Sequence, residues 1–211
     1  MKKYLLLLVK LLIIIPASGQ FRFGMQGGIN MTTLIEQNYN HDYASNFYKT
    51  GFNAGPVAEF IAGEHISVKT ALIFETKGTK GTIRLDTIVA DVGTSLLYLD
   101  IPLFITGRIN AGKLILFVQA GPYAGLGLWG KATAETPDRS ISRDIKWGSG
   151  TDDEFKRIDL GIMTGAGVEW NKFFLDLSFG FGLANIFPVR EIDYNIHHRM
   201  ISLSLGYYLN R

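Results

Sequence analysis

Apolar and polar residues alternate one by one along most of this chain. In 96–109, Leu97, Leu99, Ile101, Leu103, Ile105 and Ile109 share one face, and Tyr98, Asp100, Pro102, Thr106 and Arg108 share the other. Residues 155–171 set Ile158, Leu160, Ile162, Ala166, Val168 and Trp170 against Arg157, Asp159, Gly161, Gly165, Gly167 and Glu169. The runs at 172–184 and 201–209 repeat the pattern, with Leu175, Leu177 and Phe179 against Asp176 and Ser178, then Ile201, Leu203 and Leu205 against Ser202 and Ser204. A period of two marks strands with one strongly apolar side. Weaker versions at 21–31, 51–62, 65–77 and 113–130 bring the expected number to eight. Most exceed the roughly 5–6 residues of an ordinary strand. Each can supply the roughly 9–11 tilted residues that cross a bilayer.

The connections alternate as well. Segments 62–65, 109–113 and 171–172 are tight turns, while 32–50, 78–94, 131–154 and 185–198 are long, polar and expected as loops. Short turns on one side and long loops on the other is the pattern of outer-membrane barrels, which begin at eight strands. The prediction is all-β: one eight-stranded antiparallel up-and-down transmembrane β-barrel. The 24 glycines and 12% aromatic content agree with it.

The first residues read as an address. Lys2 and Lys3 precede the apolar run Leu5 to Ile15, and Ala17-Ser18-Gly19 offers a cleavage site. The expectation is a signal peptide over 1–19 and a barrel domain over 20–211. Losing Lys2, Lys3 and Lys10 takes the formal charge from +2 to −1. That is too little positive charge for binding driven by phosphate neutralisation, so nucleic acid is not an expected partner. The chain contains no cysteine, which excludes disulfides, thiolate metal sites and a thiol nucleophile.

Which face looks outward separates a membrane barrel from a soluble one. The polar face carries many glycines, among them Gly24, Gly28, Gly55, Gly121, Gly165 and Gly206. Glycine has little use on a solvated strand face but makes room inside a narrow barrel. The same face carries Glu59, Glu75, Asp100, Asp159, Glu169 and Asp176 against Arg22, Lys69, Lys77, Arg108 and Arg157. Near balance suits a cramped lumen, where an unpaired charge is costly. These residues are therefore expected to form a structural charge network, with Tyr98, Tyr123 and Gln119 filling space between them.

The strands also resemble a family. FGMQGGINMTTL (23–34), YLDIPLFI (98–105), VQAGPYAGLGLWGK (118–131), FKRIDLGIMTGAGVEW (155–170), LDLSFGFGLANI (175–186) and ISLSLGYYL (201–209) are similar to the PorT-like outer-membrane β-barrel proteins of Bacteroidota, often labelled "porin family". The resemblance implies an eight-stranded barrel of the OmpA/OmpX type. Because some relatives belong to a protein-secretion system, it also implies a secretion- or assembly-associated accessory role. Implied partners are outer-membrane lipid, lipopolysaccharide and an envelope protein. One departure is the terminus, Leu209-Asn210-Arg211, where such barrels often end on an aromatic residue.

Other motifs add little chemistry. Gly125-Leu126-Gly127-Leu128-Trp129-Gly130 fits a dinucleotide fingerprint by letter, but lies inside an alternating strand with no helix following. His41, Asp42 and Ser45 in the first loop and Asp193, His197 and His198 in the fourth are the rim groups a hydrolase or acyltransferase could use. Their spacing matches no catalytic signature. Neighbouring His197 and His198 should face opposite sides, and Asp152-Asp153-Glu154 lacks the spaced oxygens of a Ca²⁺ loop. No catalytic, cofactor or metal residues are assigned. Phe47, Tyr48, Phe52, Phe173 and Phe174 are expected as interface anchors; the charged third loop around Trp147 reads first as an ordinary variable exposed loop, with recognition of a partner protein or a lipopolysaccharide head group as the alternative. The leading functional expectation is a non-enzymatic structural or accessory barrel, with a narrow solute channel and a rim-located lipopolysaccharide-modifying enzyme as alternatives.

Overall fold

A computed structural model describes residues 20–37, 47–85, 88–150, 152–188 and 195–210. Ten strands run β1 (Gln20–Gln37), β2 (Phe47–Ile61), β3 (Ile66–Ala71), β4 (Ile73–Leu85), β5 (Ile88–Ala111), β6 (Leu114–Thr136), β7 (Arg139–Asp144), β8 (Ile158–Trp170), β9 (Phe173–Gly182) and β10 (Asn195–Tyr208). Every pairing between them is antiparallel, and β1 pairs with β10 to close the sheet on itself. The closed ring has eight strands. In it β3 and β4 count as one, and β7 stands outside it.

The break between β3 and β4 has a local cause. Leu72 lies opposite Pro56 and donates its N–H to the Pro56 carbonyl at 3.0 Å. Proline has no N–H to return, so the ladder is interrupted there. The tight turns also follow from residue type. Two-residue hairpins join β5 to β6 at Gly112-Lys113 and β8 to β9 at Asn171-Lys172, with φ of 69° at Gly112 and 57° at Asn171. Such turns require φ > 0, which glycine and asparagine tolerate best.

Two of the expected loops are sheet instead. The segment 78–94 continues β4 and β5, paired from Gly78↔Ser95 to Leu85↔Ile88. In the third loop β6 continues and pairs with β7 from Lys131↔Asp144 to Thr136↔Arg139. Strands β4 to β7 thus rise above the apolar band as one outer sheet. No one-sided environment imposes hydrophobic alternation there, so the period-two signal fades although the strands persist.

The alternating faces sort as the sequence predicts. Ile101, Leu103, Ile105, Ile109, Val118, Leu160, Leu177 and Leu203 are exposed on the outer wall, and charged and small residues turn inward. Phe21 packs on Phe60 at 4.8 Å and Phe173 on Tyr207 at 4.9 Å, near the short-turn end. Phe47, Tyr48, Phe52 and Phe173 are exposed, but Phe174 is buried in the lumen, 4.9 Å from the Tyr208 ring. The expectation that Phe174 anchors the interface is thus wrong, because adjacent strand residues point to opposite faces.

Past Tyr208, Leu209 and Asn210 extend the seam between β10 and β1. Leu209 donates its N–H to the Phe23 carbonyl at 2.7 Å. The Asn210 side chain then accepts from the Phe23 N–H and donates to the Phe21 carbonyl, both at 2.7 Å. Asn210→Ala removes both side-chain bonds, each worth about 0.5–1.5 kcal/mol net. The expected result is a lower urea midpoint for the refolded barrel, read by tryptophan fluorescence, with the fold retained.

Candidate functional site: the filled lumen and its outer cap

Inward-facing side chains fill the barrel in three tiers. Nearest the short turns, β1 supplies Arg22, β2 Glu59, β5 Arg108 and β8 Glu169. Arg22 contacts Glu169 at 2.5 Å and Glu59 at 2.6 Å, and Arg108 contacts the same two carboxylates at 2.8 Å (Glu59) and 3.4 Å (Glu169). Tyr208 donates to Glu59 at 2.6 Å and Ser67 donates to its other oxygen. The Arg22 guanidinium also lies 3.9 Å from the centre of the Tyr208 ring. Every oxygen of Glu59 and Glu169 is thereby engaged, which is what permits two carboxylates so deep in a barrel.

In the middle tier Lys69 meets Asp176 at 3.2 Å and lies over the Phe174 ring at 4.4 Å. Gln119 donates to Asp176 at 2.7 Å. In the outer tier Lys77 bridges Asp100 at 2.8 Å and Asp159 at 2.9 Å, and Tyr123 donates to Asp159 at 3.0 Å. Glu75 accepts from Asn30 at 2.8 Å and from Ser202 at 3.2 Å. All ten of these charged residues are at most 7% exposed.

Arg157 stands apart from this network. It is exposed, donates to the Gly127 carbonyl at 2.9 Å and lies 5.7 Å from the Trp147 ring. Strand β8 begins at Ile158, so the inward phase read through residue 157 does not extend to it.

Above the outer tier the mouth is closed by an apolar cluster of Leu34, Leu96, Tyr98, Ile145, Phe155, Ile186 and Ile196, with Trp147 and Phe187 against it. Ile145, Trp147 and Phe155 come from the third loop, folded back over the barrel by a bridge between Trp147 and Phe155. The glycines of the fingerprint-like run make this possible. A Cβ on Gly127 would run into the Trp147 ring, and one on Gly130 would press on Leu96 and Ile145. Isolated large apolar residues in an otherwise charged loop were the signal for this cap, and only the fold shows where they pack.

His41, Asp42, Ser45 and Asp193 lie outside the described residues. His198 is buried with its ring 5.3 Å from Tyr98, while His197 sits 3.1 Å from the Ala184 carbonyl. The acidic run is occupied with holding its own loop. Asp153 accepts from the Gly150 N–H at 2.7 Å, and Glu154 binds Arg143 at 2.7 and 2.5 Å and the Lys146 N–H at 3.1 Å. The hydrogen bonds from Arg143 hold the Glu154 carboxyl below its ordinary value.

A closed ring of eight long strands, an apolar outer wall and a charged, filled interior are the features of a small membrane barrel. The model for the outer membrane protein beta-barrel domain matches residues 16–188. The chain belongs to that family. This outer-membrane β-barrel is also similar in fold to solved structures. Ail, the attachment invasion locus protein of Yersinia pestis, crystallised with the heparin analogue sucrose octasulfate, is 17% identical, with 90% of this chain and 99% of that one covered and a TM-score of 0.42. OprG from Pseudomonas aeruginosa is 10% identical, over 90% and 96% of the two chains, with a TM-score of 0.40. Outer membrane protein W of E. coli is 15% identical, over 88% and 96%, with a TM-score of 0.37. No curated protein matches the barrel.

Proposed function

We propose that this barrel is a non-enzymatic structural or accessory protein of the outer membrane, with a lumen that does not conduct. On this reading it acts through its outer sheet and its lipid-facing wall. The observation that carries the reading is the doubly obstructed interior: three tiers of paired side chains, with an apolar cluster over the outer mouth. An eight-stranded barrel is just wide enough for side chains to fill it. The resemblance to PorT-like proteins of Bacteroidota extends the reading to a secretion- or assembly-associated role with an envelope protein as partner. Lipopolysaccharide would meet the wall and the sheet. Residues 1–19 are read as a signal peptide removed on export.

The test is conductance of the purified barrel in planar bilayers. The expected trace is indistinguishable from protein-free membrane at any holding voltage the bilayer tolerates. Discrete unitary openings would reassign the protein as a narrow solute channel. Affinity purification from outer membranes in mild detergent complements it, a stoichiometric envelope protein being the expected companion.

A further inference from the structure

The lipid-facing wall has a notch. On β5, Gly107 stands between Ile105 and Ile109, opposite Ile66 of β3 and Val118 of β6. Ile105, Ile109 and Val118 are 69%, 67% and 64% exposed, more than any other large apolar residue among the described ones. They are so bare because the position they surround carries no side chain. The backbone does not require glycine there. Gly107 has no positive φ, and a Cβ on it would meet only Val118, 3.6 Å from Cγ2 and 4.0 Å from the carbonyl oxygen. On the lumen-facing glycines Gly28, Gly55, Gly121 and Gly206, by contrast, a Cβ would come within 3.0 Å of a neighbour.

The depression over Gly107 is bounded by Ile109, Leu116 and Val118, with Glu64, His65 and Asn110 at its short-turn end. The His65 carbonyl accepts the Arg108 N–H at 2.8 Å, which pins that turn beside it. Arg108 and Phe117 also border the depression, but their side chains turn into the lumen. The aromatic girdle is interrupted at the same place. At this end β1 carries Phe21 and Phe23, β2 Phe60, β8 Trp170, β9 Phe173 and β10 Tyr207. The three neighbouring strands β3, β5 and β6 offer Ile66, Ile109 and Leu116 instead. Rings ordinarily fill the headgroup level of such a wall, so here the level is left to another occupant.

We propose that this depression binds one phospholipid of the leaflet at the short-turn end, with an acyl chain over Gly107 and a zwitterionic headgroup at the rim. The proposal rests on the reading of a lipid-facing wall and not on that of a closed lumen, so the conductance test leaves it untouched. Between lipid and wall there is no water to expel, and selectivity comes from fit. A chain seated in the notch touches Ile105, Ile109 and Val118 on three sides, which a flat wall does not allow. At the rim, Glu64 offers an acceptor to an ammonium, and the Asn110 amide and His65 ring offer donors to a phosphate. A purely anionic headgroup would meet Glu64 as a like charge.

The test is native mass spectrometry of the barrel purified from outer membranes in mild detergent, with every retained lipid identified. The wild type should fly as a monomer carrying one phosphatidylethanolamine. Gly107→Leu, for which the wall has room, should fold normally and retain on the order of tenfold less, because its side chain takes the place of methylenes of the acyl chain. Ala124→Leu, exposed on the same wall of β6, should retain as much as the wild type. Offered phosphatidylethanolamine and phosphatidylglycerol together after delipidation, the wild type should take the first, and Glu64→Gln should take both alike. A wild type free of phospholipid, or equal retention by Gly107→Leu, overturns the proposal. Loss in Ala124→Leu as well would place the lipid elsewhere and overturn it too. A wild-type dimer that Gly107→Leu turns into a monomer would overturn it in favour of a second copy of the chain.

Discussion

Gly165→Trp is expected to leave no folded barrel in the outer membrane. Gly165 faces the lumen on β8, opposite Ser178 of β9. A single Cβ there would already stand 2.8 Å from Ser178 Oγ, 2.9 Å from the Leu177 carbonyl and 3.3 Å from Gln119 Nε2. The indole would have to displace Gln119 and Ser178, both of which hold Asp176, the partner of Lys69. Adding even a few methylenes to a packed core costs about 1–3 kcal/mol. Separating the buried Lys69–Asp176 pair adds a further penalty, typically about 3–5 kcal/mol when one partner is lost. The readout is the amount of the variant recovered in outer-membrane fractions, compared with the wild type. Gly165→Ala should still fold, at a smaller cost, because Ser178 and Gln119 are side chains that can give and the Leu177 carbonyl must shift by only a few tenths of an ångström. Normal levels of the Trp variant would mean that the inward and outward faces are exchanged.

Arg22→Met is expected to destabilise the barrel by about 3–5 kcal/mol, the usual cost of removing one partner from a buried ion group. Arg22 contacts two carboxylates, at 2.6 Å and 2.5 Å, and Arg108 alone would then face both. Arg22→Met combined with Glu169→Gln restores one base to one acid and should recover most of the loss. Arg143→Met is the control: that pair is exposed, with 60% of the Arg143 side chain accessible, and exposed pairs contribute roughly 0–1 kcal/mol. Urea unfolding of the refolded proteins measures all three. Equal destabilisation by the single and the paired change would show that Arg22 acts through packing on Tyr208 rather than through charge.

The parts legible in the sequence are those where one environment touches one face of a strand. Lipid against Leu99, Ile101, Leu103 and Ile105, with a crowded lumen against Asp100, Pro102 and Phe104, writes a period of two into β5. The same strand beyond Leu96, and β6 beyond Gly130, carries no such contrast, so an extended sheet reads as a polar loop. Arg157 and Phe174 fail for a narrower reason. Phase has meaning only inside a strand and only residue by residue, so one lies just before β8 and the other one step out of register with the wall.

The sequence by itself determined the ring, its antiparallel order and the inward charges, because a closed barrel repeats one local rule along every strand. Only the tertiary structure decided which charges meet. Arg22 is separated from Glu169 by 147 residues, and Ser204 from Asn53 by 151. Nothing local in the chain relates such partners; the shear of the closed ring brings them to one height in the lumen. The same closure folds Ile145 and Trp147 over the mouth.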